Sequence, residues 1–267
     1  MAIESEDRRK NLTISLSYLC KNFETRIIVY EFDKTPKVPE ILDKIDIGNT
    51  VVRHVFDNSE GQEIFHRTKF LNKMIHMTQT PVVVNYDADI LLMPETYERC
   101  VKMITDGVDL VYPYFFGDSQ WQVQTSGRDI VEKGLNLDEL TPKDVKICRS
   151  EYGQCQFFKT SSYIAGGMEN EGFISYAPED QERAYRFQKL GYDVRWLHGS
   201  YIYHLEHYRG PNSSSLNPMM DQNNKLFEKI KKMSTEELRK YYDDIDYLKA
   251  YTKSSKRFWQ FNGQPLH

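Results

Sequence analysis

The first 115 residues alternate between strand-like and helix-like segments, and this alternation restricts the fold more than any other feature. Short apolar runs typical of strands lie at 26–32, 49–56, 82–84 and 108–115. Segments with helical spacing of apolar residues lie at 6–22, 64–79 and 95–107. Helices between successive strands are typical of crossover connections, which join parallel strands. The pattern therefore predicts an α/β fold with a mostly parallel central sheet and flanking helices.

The second half of the chain is less regular. Residues 117–150 are polar and are predicted to be irregular, with a short helix near 127–133. Further elements are predicted as a strand, a short helix and a glycine turn within 153–167, a helix at 178–192, one or two strands within 193–207, and charged helices at 221–250. Residues 1–215 are predicted to form one domain, and 216–267 a helical extension packed on it.

Composition excludes several classes of protein. The chain has 267 residues, of which 40% are hydrophobic, and a formal net charge of -4. It therefore has no bulk attraction to nucleic acid or anionic membranes, and no nucleic-acid partner is predicted. It contains no signal peptide and no apolar run of about 18 residues, so we expect a cytoplasmic protein without a membrane span. The four widely spaced cysteines are predicted to be free thiols.

Two carboxylates follow the apolar run Val82–Val84 directly, at Asp87 and Asp89. Burial of an unpaired charge is costly, so a partner is expected. On an extended segment the two side chains would point to the same side, about 7 Å apart. A divalent cation with oxygen ligands, Mg²⁺ or Mn²⁺, would neutralise such a pair. The alternative is a solvated turn in which Asp87 caps the following element.

Other candidate ligands and bases follow later in the chain. His204 and His207 end an apolar segment and are candidate nitrogen ligands, although a single histidine is more often a core or solvent-facing residue. Glu179 and Asp180 stand at a predicted helix start. They are candidates for a general base in a substrate cleft. The alternative is that they only complement the helix dipole.

Cationic and aromatic side chains could complete a substrate site. Arg67 and Lys69 lie on the helix before the aspartates and could neutralise phosphates, or form a solvated helix face. Trp121, Trp196 and Tyr176 could stack against sugar rings, or belong to the core. The order of these groups along the chain carries more information than any one of them.

Three blocks in this order resemble the GT-A glycosyltransferases, and in particular the β-1,4-galactosyltransferase family and its chondroitin-polymerase-like relatives. The blocks read FHRTKFLN…VVVNYDADILLMPETYERC, AGGMENEGFISYAPEDQERAYRFQKLGY and YHLEH. The resemblance extends from about Glu4 to Arg209. It implies a GT-A fold, with a mostly parallel sheet, and a metal-dependent, inverting transfer of a hexose or N-acetylhexosamine from a UDP-sugar to a glycan hydroxyl.

The resemblance also implies a metal site for Mn²⁺ or Mg²⁺. Asp89 would bind the ion directly, and Asp87 would assist through water or through the donor sugar. His204 would be a further ligand, with His207 as the reserve choice. A metal ion at this place would neutralise the charge of a nucleoside diphosphate leaving group.

The remaining implied roles concern the two substrates. Asp180 would be the catalytic base, and Glu179 would hold acceptor hydroxyls. Arg67 and Lys69 would line the donor nucleotide-sugar site, to which Asp33 is also assigned. An inverting displacement requires one carboxylate to accept the proton of the attacking hydroxyl, and Asp180 is of that type.

The sequence departs from the family pattern in two places. The family's first strand ends in a Pro-x-Arg segment, whereas here a first strand would be truncated or reduced to Met1–Ile3. The acceptor block reads Tyr176–Ala177–Pro178 where the family has an aromatic-glycine pair. Two alternatives stay open: a nucleotidyltransferase or phosphohydrolase on a similar sheet, and a non-catalytic or partner-dependent domain of a larger polysaccharide-synthesising protein. Further domains or an oligomer are also open.

Overall fold

The computed structural model describes residues 5–58, 65–210, 214 and 216–251. The predicted first strand at Met1–Ile3 lies outside these residues. The helices are α1 (Glu6–Asn22), α2 (Val38–Leu42), α3 (Arg67–Ile75), α4 (Pro94–Thr105), α5 (Thr125–Gly134), α6 (Thr160–Ala165), α7 (Glu179–Lys189), α8 (Met220–Lys232) and α9 (Thr235–Asp244). None of these described helices is both long enough and apolar enough to span a membrane.

The strands are β1 (Arg26–Phe32), β2 (Val51–Asp57), β3 (Val82–Tyr86), β4 (Ile90–Leu91), β5 (Leu110–Tyr112), β6 (Gly117–Val123), β7 (Val145–Ser150), β8 (Cys155–Lys159), β9 (Val194–Trp196) and β10 (Ile202–Leu205). The predicted α/β class is confirmed, and α1 and β1 have the predicted bounds. The prediction that 117–150 is irregular apart from one helix was wrong, because β6 and β7 flank α5. Both strands are polar, and their pairing with each other and of β6 with β10 outweighs their weak local preference for strand.

The described strands form three sheets, two of which contain both parallel and antiparallel pairs. The central sheet has the order β3-β8-β5-β9, the second sheet β4-β10-β6-β7, and β1 pairs with β2 in the third. The pairs β1–β2, β5–β9 and β6–β10 are parallel. Antiparallel β8 lies between β3 and β5, so the central sheet is mixed, whereas helix–strand alternation predicted a mostly parallel one.

A core of aromatic and aliphatic side chains joins the central sheet to the later helices. Phe158 of β8 stacks on Tyr163 of α6 with ring centroids 4.2 Å apart, and it also contacts Phe187 of α7. Ile230 of α8 and Leu238 of α9 are fully buried in the same cluster. The C-terminal helices therefore contribute directly to the core behind α7. All four cysteines are free thiols, as predicted.

A cavity of about 1160 Å³ lies between β1 and β3. Among the described residues, β1 pairs only with β2 and β3 only with β8, so the sheet is interrupted at this position. Apolar side chains of α1 and α3 line part of the cavity, including Leu12, Leu16, Phe70 and Leu71. Polar side chains from four separate parts of the chain line another part, and they form the candidate site.

Candidate active site

The two aspartates after β3 lie in a turn. The Asp87 amide donates to the Gln154 carbonyl at 2.9 Å, and the Ile90 amide donates to the Asp87 carbonyl at 3.2 Å, which closes the turn. The prediction of an extended Asp-x-Asp segment was therefore wrong, and the alternative of a turn holds for the backbone. The reason is that strand pairing of β3 ends at Tyr86, where the main chain takes new partners.

The pairing of β4 with β10 places Asp89 beside two histidines. His204 is opposite Ile90 in the antiparallel pair, and the Leu205 amide donates to the Asp89 carbonyl at 2.8 Å. His207 Nε2 lies 3.0 Å from one Asp89 carboxylate oxygen, and His204 Nε2 lies 3.7 Å from the other. Ligand atoms of the three residues lie within 4.8 Å of one another.

The hydrogen bonding of the two histidines is compatible with a cation bound by them and Asp89. His207 Nδ1 lies 2.7 Å from the Tyr208 carbonyl oxygen, which can only accept, so Nδ1 carries a proton. His207 Nε2 then faces the Asp89 carboxylate favourably only if it carries a second proton or if a cation lies between them. His204 Nδ1 is buried and has no hydrogen-bond partner among the described residues.

The pKa shifts and the spacing of these side chains also favour a bound cation. Burial alone would raise the pKa of Asp89, but the electrostatic interaction with His204 and the hydrogen bond with His207 outweigh it and lower that pKa to about 2. Burial lowers the pKa of His204, which favours the neutral imidazole that binds metals. Neighbouring ligands of an octahedral ion at about 2.1 Å are about 3 Å apart, close to the separation of His207 from Asp89. One carboxylate and two imidazoles therefore fit a divalent transition-metal ion such as Mn²⁺ better than Mg²⁺, which prefers oxygen ligands.

Arg67, the first residue of α3, connects the turn to α7. Its guanidinium lies 2.7 Å from Asp87 Oδ1, 3.4 Å from Glu179 Oε1 and 3.5 Å from Asp180 Oδ1. Asp87 and Asp89 thus have different partners, a cationic side chain for one and the histidines for the other. Direct metal binding by Asp89, with Asp87 only assisting, stays a prediction. The surroundings of the two aspartates do differ, however.

Glu179 and Asp180, at the start of α7, differ in their surroundings. Glu179 Oε2 is buried without a hydrogen-bond partner in the described part of the chain, and burial together with the charge of Asp180 raises the pKa of Glu179. The Asp180 side chain is 28% exposed and opens to the cavity. A Cβ at position 153 would lie 2.7 Å from Asp180 Oδ2, so Gly153 lets the backbone approach the carboxylate.

Sequence reasoning missed a buried ion pair behind Asp180. Arg183, one turn along α7, donates two hydrogen bonds to Glu169 at 2.7 and 2.8 Å, and its guanidinium also lies 3.7 Å from Asp180. Tyr163 and Asn85 donate to the same Glu169 carboxylate. The side chains of Arg183 and Glu169 are 0% and 1% exposed. The sequence signal for this ion pair is the glutamate within the glycine-rich turn, because a charged side chain that is buried there requires a partner.

We expect Glu169→Gln to destabilise the protein by about 3–5 kcal/mol, because Arg183 would keep a buried and poorly compensated charge. Burial would raise the pKa of Glu169, but the charge of Arg183 outweighs it and holds that pKa below 4.5. The pair therefore stabilises the protein above pH 4.5, and this contribution is lost as the pH falls through the lowered pKa. Urea unfolding of both proteins measures the difference.

The same measurement on Glu40→Gln provides the control, since Glu40 is 62% exposed and pairs with Arg9 at the surface. That change should cost less than about 1 kcal/mol. Equal stability of Glu169→Gln and the unsubstituted protein at pH 7 would contradict the assigned strength of the buried pair.

Two residues assigned to the donor site lie elsewhere in the described structure. Asp33 follows β1, where its side chain pairs with Lys37 and its amide donates to the Asp57 carbonyl. Lys69 lies on α3 two residues after Arg67, which places it on a different face of the helix. Neither side chain is among those that line the cavity.

The three aromatic candidates are separated as well. Tyr176 lines the cavity and is 37% exposed. Trp196 stacks on buried Tyr112 with ring centroids 5.0 Å apart, and Trp121 packs against Tyr203 in another cluster. Of the three, only Tyr176 contacts the cavity.

No protein-family model and no curated protein matches the sequence. Among solved structures, the chain is similar to GalNAc-T7 in a complex with UDP, GalNAc and Mn²⁺, with a TM-score of 0.52 and 14% identity. That match covers 84% of this chain and 49% of GalNAc-T7, so the chain spans about half of that protein.

Two further solved structures are similar to the chain at TM-scores below 0.5. HddC from Yersinia pseudotuberculosis has a TM-score of 0.45 and 12% identity, over 82% of this chain and 84% of HddC. The mannosyltransferase PcManGT from Pyrobaculum calidifontis, in complex with GDP-Man and Mn²⁺, has a TM-score of 0.47 and 14% identity. That match covers 91% of this chain and 76% of PcManGT.

At this level of identity a structural similarity establishes the fold and nothing finer. Helix–strand alternation, the mixed sheets and the similarity to GalNAc-T7 agree with one another. The chain therefore has the GT-A glycosyltransferase fold, as the sequence resemblance predicted.

Proposed function

We propose that this protein is a metal-dependent glycosyltransferase that uses a nucleotide-diphospho-sugar. One observation carries the proposal: one cavity brings the Asp89–histidine cluster together with Asp180, with Arg67 between the turn and α7. The fold supports the same reaction class by analogy, and GalNAc-T7 was crystallised with UDP and Mn²⁺. We take the donor to be a UDP-sugar carrying a hexose or N-acetylhexosamine, and the acceptor to be a glycan hydroxyl.

Asp89, His207 and His204 would hold the metal ion, for which Mn²⁺ is our first choice. One carboxylate and two imidazoles form a donor set that Mn²⁺ accepts. When bound, such an ion supplies positive charge to a diphosphate leaving group. The protein contributes the orientation of the three ligands, since the Asp89 main chain is bonded to β10 and the His207 ring to the Tyr208 carbonyl.

Asp180 would be the general base that accepts the proton of the attacking hydroxyl, as a single inverting displacement requires. Arg67 and Arg183 both lie near Asp180 Oδ1, at 3.5 and 3.7 Å, and would fix the orientation of this carboxylate. Glu179 is suited to a different task. With its raised pKa it can carry a proton and share hydrogen bonds with substrate hydroxyls.

The test is the release of nucleoside diphosphate from a donor panel with Mn²⁺ and a mixture of saccharide acceptors. We expect UDP from one of UDP-galactose, UDP-glucose, UDP-GlcNAc and UDP-GalNAc, and no product when EDTA replaces the metal. GDP-mannose is the control donor, which tests whether the protein prefers uracil to guanine as the nucleobase of the donor. Release of pyrophosphate would instead indicate a nucleotidyltransferase, and no calorimetric binding of millimolar UDP with Mn²⁺ would indicate a non-catalytic domain.

A further inference from the structure

We propose that Arg8 and the Asp89–histidine cluster together form a subsite for a diphosphate group. The inference rests on the proposed function and adds a residue that neither the motifs nor the fold assigns. Arg8 lies in the first turn of α1 and lines the same cavity as Asp89, His204 and His207.

The first turns of α1 are fixed against the strand that carries the histidines. Asn11 is buried, and its side-chain amide donates to the carbonyls of Leu205 and Glu206, each at 3.2 Å. Arg128 donates to Asp7 at 2.9 Å and to the Glu206 carbonyl at 3.3 Å. The start of α1 therefore has a set position relative to the segment between His204 and His207.

Helical periodicity then determines which side chain faces the cavity. Arg8, Leu12 and Leu16 recur every fourth residue on one face of α1, and all three line the cavity. Arg9, the next residue, points elsewhere and pairs with Glu40. The positive charge of Arg8 is also near enough to Asp89 for the two side chains to interact electrostatically.

Local helix energetics do not account for an arginine at this place. Acidic side chains are the ones that stabilise the first turn of a helix, and Glu6 and Asp7 already occupy it. A cation there is slightly unfavourable for the helix itself. Its position beside the metal-ligand cluster, in contrast, suits an anionic ligand.

The chemistry of a diphosphate matches this pair of groups. Its oxygens carry more negative charge than one divalent ion bound to Asp89 would balance. A guanidinium presents a planar fork of donors that bonds phosphate oxygens in pairs. We therefore assign one face of the diphosphate to the metal ligands and another to Arg8, so that charge is balanced from two sides.

The test compares Arg8→Ala with Arg9→Ala, its neighbour outside the cavity. Calorimetry with Mn²⁺ would measure binding of UDP, UMP, uridine and inorganic pyrophosphate. We expect Arg8→Ala to weaken UDP and pyrophosphate binding by about 10- to 100-fold, UMP less, and uridine not at all. Arg9→Ala should change each value by less than about 2-fold, and Arg8→Lys should retain part of the affinity.

Two results would overturn the inference: unchanged UDP affinity in Arg8→Ala, or an equal loss for UDP and uridine. Urea unfolding of each variant separates misfolding from a lost contact, and Arg8→Lys repeats the comparison if the alanine variant does not fold. Pyrophosphate separates this inference from the proposed function. Arg8-dependent pyrophosphate binding without sugar transfer would support the subsite and count against the transferase. Sugar transfer that Arg8→Ala leaves unaffected would support the transferase and count against the subsite.

Discussion

Asp180→Asn is expected to lower kcat for sugar transfer by about 10²–10⁴-fold while leaving the dissociation constant of UDP nearly unchanged. Asparagine preserves the shape of the side chain but cannot take up the hydroxyl proton. Arg67 and Arg183 would still have hydrogen-bond partners, Asp87 for the first and Glu169 for the second. The loss should therefore fall on chemistry and not on binding.

Steady-state kinetics with the donor and acceptor identified by the panel would measure this effect, with calorimetry for UDP. Asp221→Asn is a matched control, because Asp221 also lies in the first turn of a helix but is 80% exposed and pairs only with Lys225 in the contacts described. It should retain full activity. If Asp180→Asn kept more than about a third of wild-type kcat, another residue would be the base.

Asp89→Ala is expected to weaken Mn²⁺ binding by at least about 100-fold and to reduce turnover by about 10³-fold. An alanine removes the one carboxylate of the cluster and leaves two imidazoles, which hold Mn²⁺ poorly without a hard oxygen ligand. The charge that a bound metal ion adds to a leaving phosphate is worth several kcal/mol, and about 1.4 kcal/mol corresponds to a factor of ten in rate.

Titration of free Mn²⁺ by electron paramagnetic resonance, without nucleotide, measures the ion directly. Asp87→Ala is the informative comparison, because Asp87 pairs with Arg67 at 2.7 Å and not with the histidines. It should keep most of the Mn²⁺ affinity and lose activity through the freed arginine. Equal loss of Mn²⁺ binding in both variants would show that the two aspartates share the ion as equal ligands.

Local sequence patterns predicted much of the secondary structure because they depend on neighbours in the chain. The amphipathic spacing of Leu12, Leu16 and Leu19 determines α1, and the apolar run at Arg26–Phe32 determines β1. The strands β6 and β7 were missed, since their polar residues become strands only through long-range pairing. The Asp-x-Asp turn was missed for a related reason: its shape depends on the Gln154 carbonyl, 67 residues away in sequence.

By itself the sequence determined which chemical groups are present and in what order, and hence the α/β class and the short list of acids, histidines and arginines. Tertiary structure alone decided which of them meet. The register of β4 on β10 brings Asp89 to His204 and His207. Strand register and helix packing act between residues more than 100 positions apart, where side-chain spacing along the chain carries no information. For that reason the two aspartates, which are separated by a single residue in sequence, have different partners.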